Sequence, residues 1–340
     1  MRPAKPIATL TLLALSACSD PAAPPAAQDE PAMLPPASAM LEAGAGLETA
    51  TSVAFTEGPA ADAEGNVYFS EITNNRILKY TPGAAGYTEF RKPSNRANGL
   101  AFDAQGRLLA CEGNSSDGGR RVTRSDMATG AVEVLADKFE GKRLNSPNDL
   151  VVSQDGRVYF TDPRYGSQDG RELDTEDVYR IDPDGTLARA ATAPDINKPN
   201  GIAISPDGKT LYVADTQPGP PREARVMAFD IGADGSLSNP RQHYSFGSGR
   251  GIDGMAIDIE GNIYGAAGRM AGAPENDAGV YIISPQGQLS GFVRVPEDSV
   301  TNCNFGGPDL RTLYITAGKT LFSVRTKNRG FLVYPPAGAP

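Results

Sequence analysis

The chain has 340 residues, a length that allows one large domain or two ordinary ones. It contains 41 Asp and Glu against 32 Lys and Arg, which gives a formal net charge of −9. No cluster of cations stands out, and binding to nucleic acid requires a concentrated positive surface, so nucleic acid is excluded as an expected partner. The 38 Gly and 28 Pro, with short runs rich in Val, Ile, Tyr and Phe, are typical of many short strands joined by tight turns.

The first residues have the features of a bacterial export signal. MRPAKPIATLTLLALSAC combines cations with an apolar stretch that is too short to span a bilayer as a helix. Its ending resembles a lipoprotein box, which predicts a signal peptide over residues 1–17 and a lipidated Cys18 as the only membrane attachment. An ordinary signal peptide is the alternative. Ser19 favours the periplasmic side of the outer membrane if the host is Gram-negative. Residues 18–45 are rich in Pro and Ala, and we predict that they form a disordered tether.

A motif of about fifty residues recurs along the rest of the chain. The plan of the motif is an oxygen-bearing residue, an apolar strand, a turn around Asp-Gly or Glu-Gly, and a second strand containing Tyr or Leu. The spacing between copies leaves room for a second hairpin. The six copies begin at Glu57, Asn98, Asn148, Asn200, Asp253 and Asn302.

Four-stranded sheets repeated radially are the blades of a β-propeller. We therefore predict an all-β fold over residues 46–340, a six-bladed β-propeller with four-stranded antiparallel blades around a central channel. The run LETATSVAF before Glu57 is expected to supply the outer strand of the last blade, which ends with FLVYPP. Cys111 and Cys303 fall in non-adjacent repeats, so we expect free, buried thiols, although the export compartment leaves a disulfide open.

The six starting residues are expected to face one another around the channel, because the first strand of each blade lies nearest the axis. Asn or Asp before Gly can simply serve turn geometry, which suits Asn98, Asn200 and Asp253. Glu57 has no such preference, and two carboxylates that converge on one channel would repel each other. A hard cation resolves this conflict, since Ca²⁺ binds carboxylate and amide oxygens and the ring offers no sulfur or imidazole.

Several of these stretches resemble the family of gluconolactonases, senescence-marker protein (regucalcin) and luciferin-regenerating enzymes. The stretches are EGP, KRLNSPNDL, KPNGIAISPDGKTLYVADT, DGMAID and TNCNFGG, in order between residues 50 and 325. The resemblance implies Ca²⁺ held by Glu57, Asn200 and Asp253, with Asn148 as a further ligand or a substrate contact. Zn²⁺, Mg²⁺ or Mn²⁺ could replace Ca²⁺. The roles of Asn98 and Asn302 stay open.

The second strands end in carboxylates that we expect to form an outer ring on the same face: Glu71, Glu112, Asp162 and Asp215. Solvated strand ends explain Glu71 and Glu112 more simply. Asp162 is predicted to bind substrate together with Arg143, Asn148 and Tyr165, through a forked guanidinium in Arg143 and a ring in Tyr165 that could stack on a sugar. For Arg143, Tyr165 and Arg250, a surface role without a ligand is an equal alternative.

The chemistry is limited by the histidine count. His243 is the only histidine and has no Ser-Asp pattern beside it, so a Ser-His-Asp triad is not expected and His243 is interpreted as a loop or core residue. A cation that polarises a carbonyl, with a carboxylate that takes a proton from water, is sufficient to hydrolyse a lactone. The resemblance implies Asp253 as this base, with Asn148 beside it. Cation binding lowers the basicity of a carboxylate, so water activated by the metal is the alternative.

These observations together predict a monomeric, metal-dependent hydrolase of sugar-type lactones such as glucono-1,5-lactone, located in the cell envelope. A hydrolase of other lactones or of organophosphates is one alternative. The other is a non-catalytic propeller that binds a sugar or a protein and uses calcium only for structure.

Overall fold

The protein is an all-β propeller, as predicted from its repeats. The computed structural model describes residues 34–114, 118–217, 223–268 and 277–334. These residues form one short 3-10 helix (Ala37–Ala39), six four-stranded antiparallel sheets and one two-stranded hairpin. Within these ranges no helix is long and apolar enough to cross a membrane. The predicted signal peptide and Cys18 lie outside the described residues.

The strands follow the repeats blade by blade. The first strand, β1 (Glu48–Ser52), belongs to the last blade. Blade 1 contains β2 (Thr56–Ala61), β3 (Val67–Glu71), β4 (Arg76–Tyr80) and β5 (Tyr87–Arg91). Blade 2 contains β6 (Ala97–Phe102), β7 (Leu108–Glu112), β8 (Arg121–Ser125) and β9 (Val132–Ala136). The hairpin of β10 (Lys138–Phe139) and β11 (Lys142–Arg143) precedes blade 3, which contains β12 (Leu150–Val152), β13 (Val158–Asp162), β14 (Asp177–Ile181) and β15 (Leu187–Ala191).

The second half of the chain repeats this order. Blade 4 contains β16 (Pro199–Ile204), β17 (Thr210–Gln217), β18 (Glu223–Ile231) and β19 (Leu237–Gly247). Blade 5 contains β20 (Ile252–Ile257), β21 (Ile263–Ala267), β22 (Gly279–Ile283) and β23 (Leu289–Arg294). Blade 6 combines β24 (Val300–Gly306), β25 (Thr312–Ala317) and β26 (Thr320–Arg325) with β1.

The ring is closed by the first strand of the chain. β1 pairs antiparallel with β26, with Glu48 opposite Ser323, so the prediction for LETATSVAF is confirmed. The prediction that the last blade ends with FLVYPP is wrong, because β26 ends at Arg325. The described part of that stretch instead crosses the far end of the channel. The N–H of Phe331 donates to the carbonyl of Ile257 at 2.9 Å, and the Tyr334 ring lies 5.7 Å from the Phe102 ring.

The predicted tether over residues 18–45 is described by the structure only from residue 34 onward. Residues 34–45 lie on the propeller, where Ala37 is buried and Pro36 forms a β-bridge to Phe292 at the outer edge of blade 5. Ala37 fits because Gly291 beside it has no side chain; a Cβ there would lie 3.0 Å from the Ala37 Cα. Low hydrophobicity was therefore a poor guide to this segment, because small residues suffice for packing against a glycine.

Side chains between neighbouring blades form the core. The rings of Tyr264 in blade 5 and Phe305 in blade 6, for example, meet edge to face at 5.0 Å. Cys111 and Cys303 are both free and buried, as predicted. The thiol of Cys303 donates to the carbonyl of Tyr264 at 3.1 Å, which ties blade 6 to blade 5.

Candidate functional site at the channel mouth

Glycines allow the beginnings of four inner strands to pack closely against the inner strand of the next blade. A Cβ atom at these positions would approach the next blade to 2.2 Å at Gly58, 2.3 Å at Gly99, 2.4 Å at Gly201 and 2.0 Å at Gly254. Only Gly58 among these four has a φ in the left-handed region, at +43°. Turn geometry therefore does not explain most of the Asn-Gly and Asp-Gly pairs. The glycines are needed because they let the residues before them come together around the axis.

The six starting residues of the repeats line one end of the channel. Glu57, Asn200 and Asn302 are buried, whereas Asn98, Asn148 and Asp253 are partly exposed, so the ring opens to solvent on one side. Asn148 is held between two blades, because its N–H donates to Thr161 at 2.9 Å and its carbonyl accepts from Gly99 at 2.8 Å. The structure thus brings the predicted metal ligands to the same mouth.

Negative charge is concentrated at this mouth. Burial raises the pKa of Glu57 well above its usual value, and the carboxylates of Asp253 and Asp149 raise it further. Burial also raises the pKa of Asp253, although Arg250 and a hydrogen bond from Asn200 oppose the increase. The Arg250 guanidinium contacts Asp253 Oδ2 and donates to the carbonyl of Val300 at 2.8 Å. The positive charge of Arg250 therefore acts on both Glu57 and Asp253.

The side chains at the mouth fit a hard cation. Asn200 Oδ1 is buried and has no hydrogen-bond partner among the described residues. A buried amide oxygen without a donor is rare and calls for a ligand, and here it lies beside carboxylates that repel each other. The described ranges contain no group of three or more His, Cys, Asp or Glu side chains that could hold a metal. The predicted set of Glu57, Asn148, Asn200 and Asp253 has only two carboxylates and otherwise relies on amides, so it stays a prediction.

Asp149 is a third channel carboxylate to which the sequence interpretation assigned no role. Its side chain is 6% exposed, and burial raises its pKa to about 7. Oδ2 accepts a hydrogen bond of 3.3 Å from Asn302 Nδ2, which comes from the opposite side of the ring. A signal was present in the repeats, because Asp149 stands where four other copies have glycine.

The predicted outer ring is not solvated. The side chains of Glu71, Glu112, Asp162 and Asp215 are all 0% exposed. Glu112 accepts from Arg91 and Arg121, each at 2.6 Å, and Glu71 accepts from Arg76 at 2.5 Å. The interpretation of Glu71 and Glu112 as solvated strand ends is therefore wrong, because arginines from neighbouring strands and loops cover and neutralise them.

Asp162 lies under the loop that leads to Asn148. Its two carboxylate oxygens accept the N–H groups of Asn145 and Ser146, both at 2.7 Å. Arg164 supports the same loop by donating to the carbonyl of Asn145 at 2.9 Å. The fully buried carboxylate of Asp162 has both oxygens engaged and so holds the loop in position, and its predicted contact with a substrate stays a prediction.

Replacing Asp162 by Asn is expected to lower the free energy of unfolding by about 1–3 kcal/mol at pH 8. Two N–H donors face the two oxygens, and an amide can accept only one of them because its NH₂ group would oppose the other. Burial raises the pKa of Asp162 to about 7, so the measurement belongs above that pH, where the carboxylate is ionised. Urea unfolding of both proteins gives the difference. Equal stability of the variant would contradict the positioning role.

Tyr165 is exposed at the mouth. Its side chain is 42% exposed, its hydroxyl hydrogen bonds to Thr216 at 2.8 Å, and Lys198 Nζ lies 4.8 Å from the ring centroid. Desolvation and the charge of the Asp253 carboxylate both raise the pKa of Tyr165. Stacking of a sugar on Tyr165 stays a prediction.

Arg143 and His243 hydrogen bond to groups other than the six starting residues of the repeats. The exposed Arg143 guanidinium donates to the carbonyl of Gly119 at 3.3 Å, and its predicted contact with substrate stays a prediction. His243 is packed between blades 4 and 5, 4.9 Å from the Tyr212 ring, with Nε2 3.1 Å from the carbonyl of Ser284. This position agrees with the interpretation of His243 as a core or loop residue.

Comparisons with known proteins agree with the fold and the motifs. Residues 55–319 match the family model described as SMP-30/Gluconolactonase/LRE-like region. The chain is 33% identical over 320 residues to a gluconolactonase of Zymomonas mobilis, covering 86% of this chain and 84% of that protein. It is 29% identical over 275 residues to a pentonolactonase of Haloferax volcanii, covering 78% and 82%. The solved structure of a gluconolactonase from Xanthomonas campestris has a TM-score of 0.74 and 34% identity, covering 90% of this chain and 99% of that one.

Proposed function

The chain belongs to the SMP-30/gluconolactonase/LRE-like family, and we propose that it hydrolyses sugar lactones to aldonic acids at the channel mouth, using a bound divalent cation, Ca²⁺ first. The observation that carries this proposal is the meeting of Glu57, Asp253 and the unpartnered Asn200 oxygen at a mouth that opens to solvent. The names of the relatives support aldonolactones as the substrate class. The family resemblance of the sequence motifs is confirmed.

In the proposed reaction, water adds to the lactone carbonyl carbon, the ring C–O bond breaks, and the ring oxygen leaves as a hydroxyl. The cation, when held by Glu57, Asn148, Asn200 and Asp253, would polarise the carbonyl and offset the negative charge that develops on its oxygen. Asp253 accepts the proton of the attacking water and returns it to the leaving ring oxygen.

Other residues of the mouth orient these groups. Arg250 fixes the Asp253 carboxylate, and its positive charge opposes the rise in pKa that burial causes. Tyr165 offers an exposed ring on which the sugar can lie. The product is an aldonate anion, and the carboxylate of Glu57 repels it, which favours its release.

Calcium rather than a softer metal is proposed because every predicted ligand atom is an oxygen. Export and anchoring through Cys18 belong to the same proposal and rest on the N-terminal motif alone. A lactonase in the cell envelope would act on sugar lactones before their uptake into the cell.

A substrate panel tests the proposed function. Purified protein with added Ca²⁺ is given glucono-1,5-lactone, a pentonolactone, δ-valerolactone and an organophosphate triester, and acid release is followed at constant pH above the spontaneous rate. We expect kcat/KM for the hydroxylated lactones to exceed that for δ-valerolactone by at least about 100-fold, because a site that hydrogen bonds sugar hydroxyls rejects an analogue without them. Absence of turnover of any lactone with any divalent metal would favour a non-catalytic binding propeller.

A further inference from the structure

In four of the six blades, the second residue of the inner-strand repeat has no room for a side chain. Four blades have glycine there, because the next blade lies too close for a Cβ atom. Blade 3 alone places a charged group in this layer, Asp149. The space for it comes from Gly99, since a Cβ on Gly99 would lie 2.3 Å from Asp149 Oδ1.

The contacts of Asp149 suit an ionised carboxylate. Oδ1 accepts the N–H of Leu150 at 3.0 Å, and Oδ2 accepts Asn302 Nδ2 at 3.3 Å. The N–H of Ile202, in blade 4, also hydrogen bonds to this carboxylate. Asn302 presents its NH₂ group because its own oxygen accepts the N–H of Cys303 at 2.8 Å. All three of these partners of Asp149 are donors, as an ionised carboxylate requires, and their hydrogen bonds oppose the rise in pKa that burial causes.

Asp149 lines the interior of the channel. It is 6% exposed, and together with Asn302 it lines a channel cavity of about 80 Å³ whose far end is formed by residues 331–334. The charge of Asp149 acts on Glu57 above it. In such an enclosed channel the charge is screened much less than at the surface.

We propose that Asp149 is a positioning residue that strengthens divalent-cation binding at the channel mouth, through its negative charge beneath the ligands and its hydrogen bond to Asn302 across the channel. The inference rests on the proposed function, because it requires that the mouth binds a cation. It assigns to Asp149 a role that involves neither contact with the substrate nor proton transfer.

The test compares calcium affinity in the full chain after chelator treatment. Calorimetric titration of Asp149→Asn with CaCl₂ is expected to show calcium binding about 10- to 100-fold weaker than in the wild type. Replacing residues that support metal ligands without contacting the metal typically weakens metal binding by this factor. At saturating calcium, kcat should stay close to the wild-type value. The matched control is Asp62→Asn, which removes an equally buried carboxylate, 6% exposed, just beyond the far end of β2. Its calcium affinity should not change.

A second variant separates charge from packing. The double replacement Asp149→Asn with Asn302→Asp keeps one carboxylate and one amide facing each other across the channel, with the charge on the opposite blade. Calcium affinity restored to near the wild-type value supports the proposal, also where Asp149→Asn alone does not fold. Affinity as weak as that of the single variant, in a folded protein, overturns the role of the charge.

The outcomes distinguish this inference from the proposed function. If the wild type binds calcium and Asp149→Asn binds it equally well but unfolds more easily, Asp149 is only a structural tie between blades 3, 4 and 6, and the inference is overturned while the proposed function stands. If the wild type binds no divalent cation, the proposed metal dependence is wrong and the inference falls with it.

Discussion

Replacing Asp253 by Asn is expected to lower kcat for glucono-1,5-lactone by about 10³-fold, the usual loss when a general base is removed. Asn has nearly the same shape as Asp and still offers an oxygen to a cation, but it cannot accept the proton of water. Acid release measured at constant pH, corrected for spontaneous hydrolysis, gives kcat. The loss should persist at saturating calcium, because it reflects proton transfer and not metal occupancy.

The control for Asp253→Asn is Asp230→Asn on the outer part of blade 4. Asp230 forms an exposed ion pair of 2.7 Å with Arg241, far from the channel, and its replacement should leave kcat unchanged. If Asp253→Asn binds calcium normally and hydrolyses the lactone at the wild-type rate, Asp253 is not the base. Another group at the mouth, or water activated by the metal, would then perform the proton transfer.

The propeller could be predicted from sequence because its repeats carry local signals. Each inner hairpin has apolar strands around a turn centred on Gly or Pro-Asp, and these signals depend on neighbours within about fifteen residues. The closing strand was also predictable, because LETATSVAF has strand character but no hairpin partner. The position of residues 331–334 across the channel could not be predicted, because a short apolar stretch has the same sequence pattern whether it forms a strand or covers a cavity.

The inner ring was predictable in position but not in its physical cause. The pairs Asn98-Gly99 and Asn200-Gly201 look like turn sequences. In the structure, their glycines are required because the next blade leaves no room for a Cβ atom. The contact between each glycine and the next blade joins residues about fifty positions apart, and a local sequence pattern cannot predict such a contact. The same is true of Asp149, whose partner Asn302 is 153 residues away.

The burial of the outer carboxylates was not predicted, because it depends on the loops and side chains that cover them. Asp162 ends a strand, and strand ends are usually solvated, but the loop at Asn145 and Ser146 folds over it. Glu112 is covered by arginines from β5 and β8. Sequence reasoning located these groups at the correct end of each blade and could not determine what packs on them.

Removing the cation with a chelator is expected to abolish lactone hydrolysis and to lower the melting temperature by about 4 °C, and added CaCl₂ should restore both. A ligand at about 100 times its Kd stabilises the folded state by about 2.7 kcal/mol, and a chain of this size loses about that much per 4 °C near its melting temperature. Without the cation, Glu57, Asp149 and Asp253 repel one another, and Arg250 offsets this repulsion only at Glu57 and Asp253. Scanning calorimetry and the pH-stat assay, with the same sample before and after chelation, measure the two effects.

Variants and other metals show whether this change comes from the channel mouth. In Asp149→Asn, one of the repelling charges is already absent, so the chelated protein should be less strained and the difference in melting temperature should shrink. Mg²⁺ should restore less than Ca²⁺, because it demands near-octahedral geometry and gives up its water reluctantly, whereas the mouth offers amides and carboxylates from separate blades. If chelation changes neither activity nor melting temperature, the convergence of these carboxylates does not serve a cation.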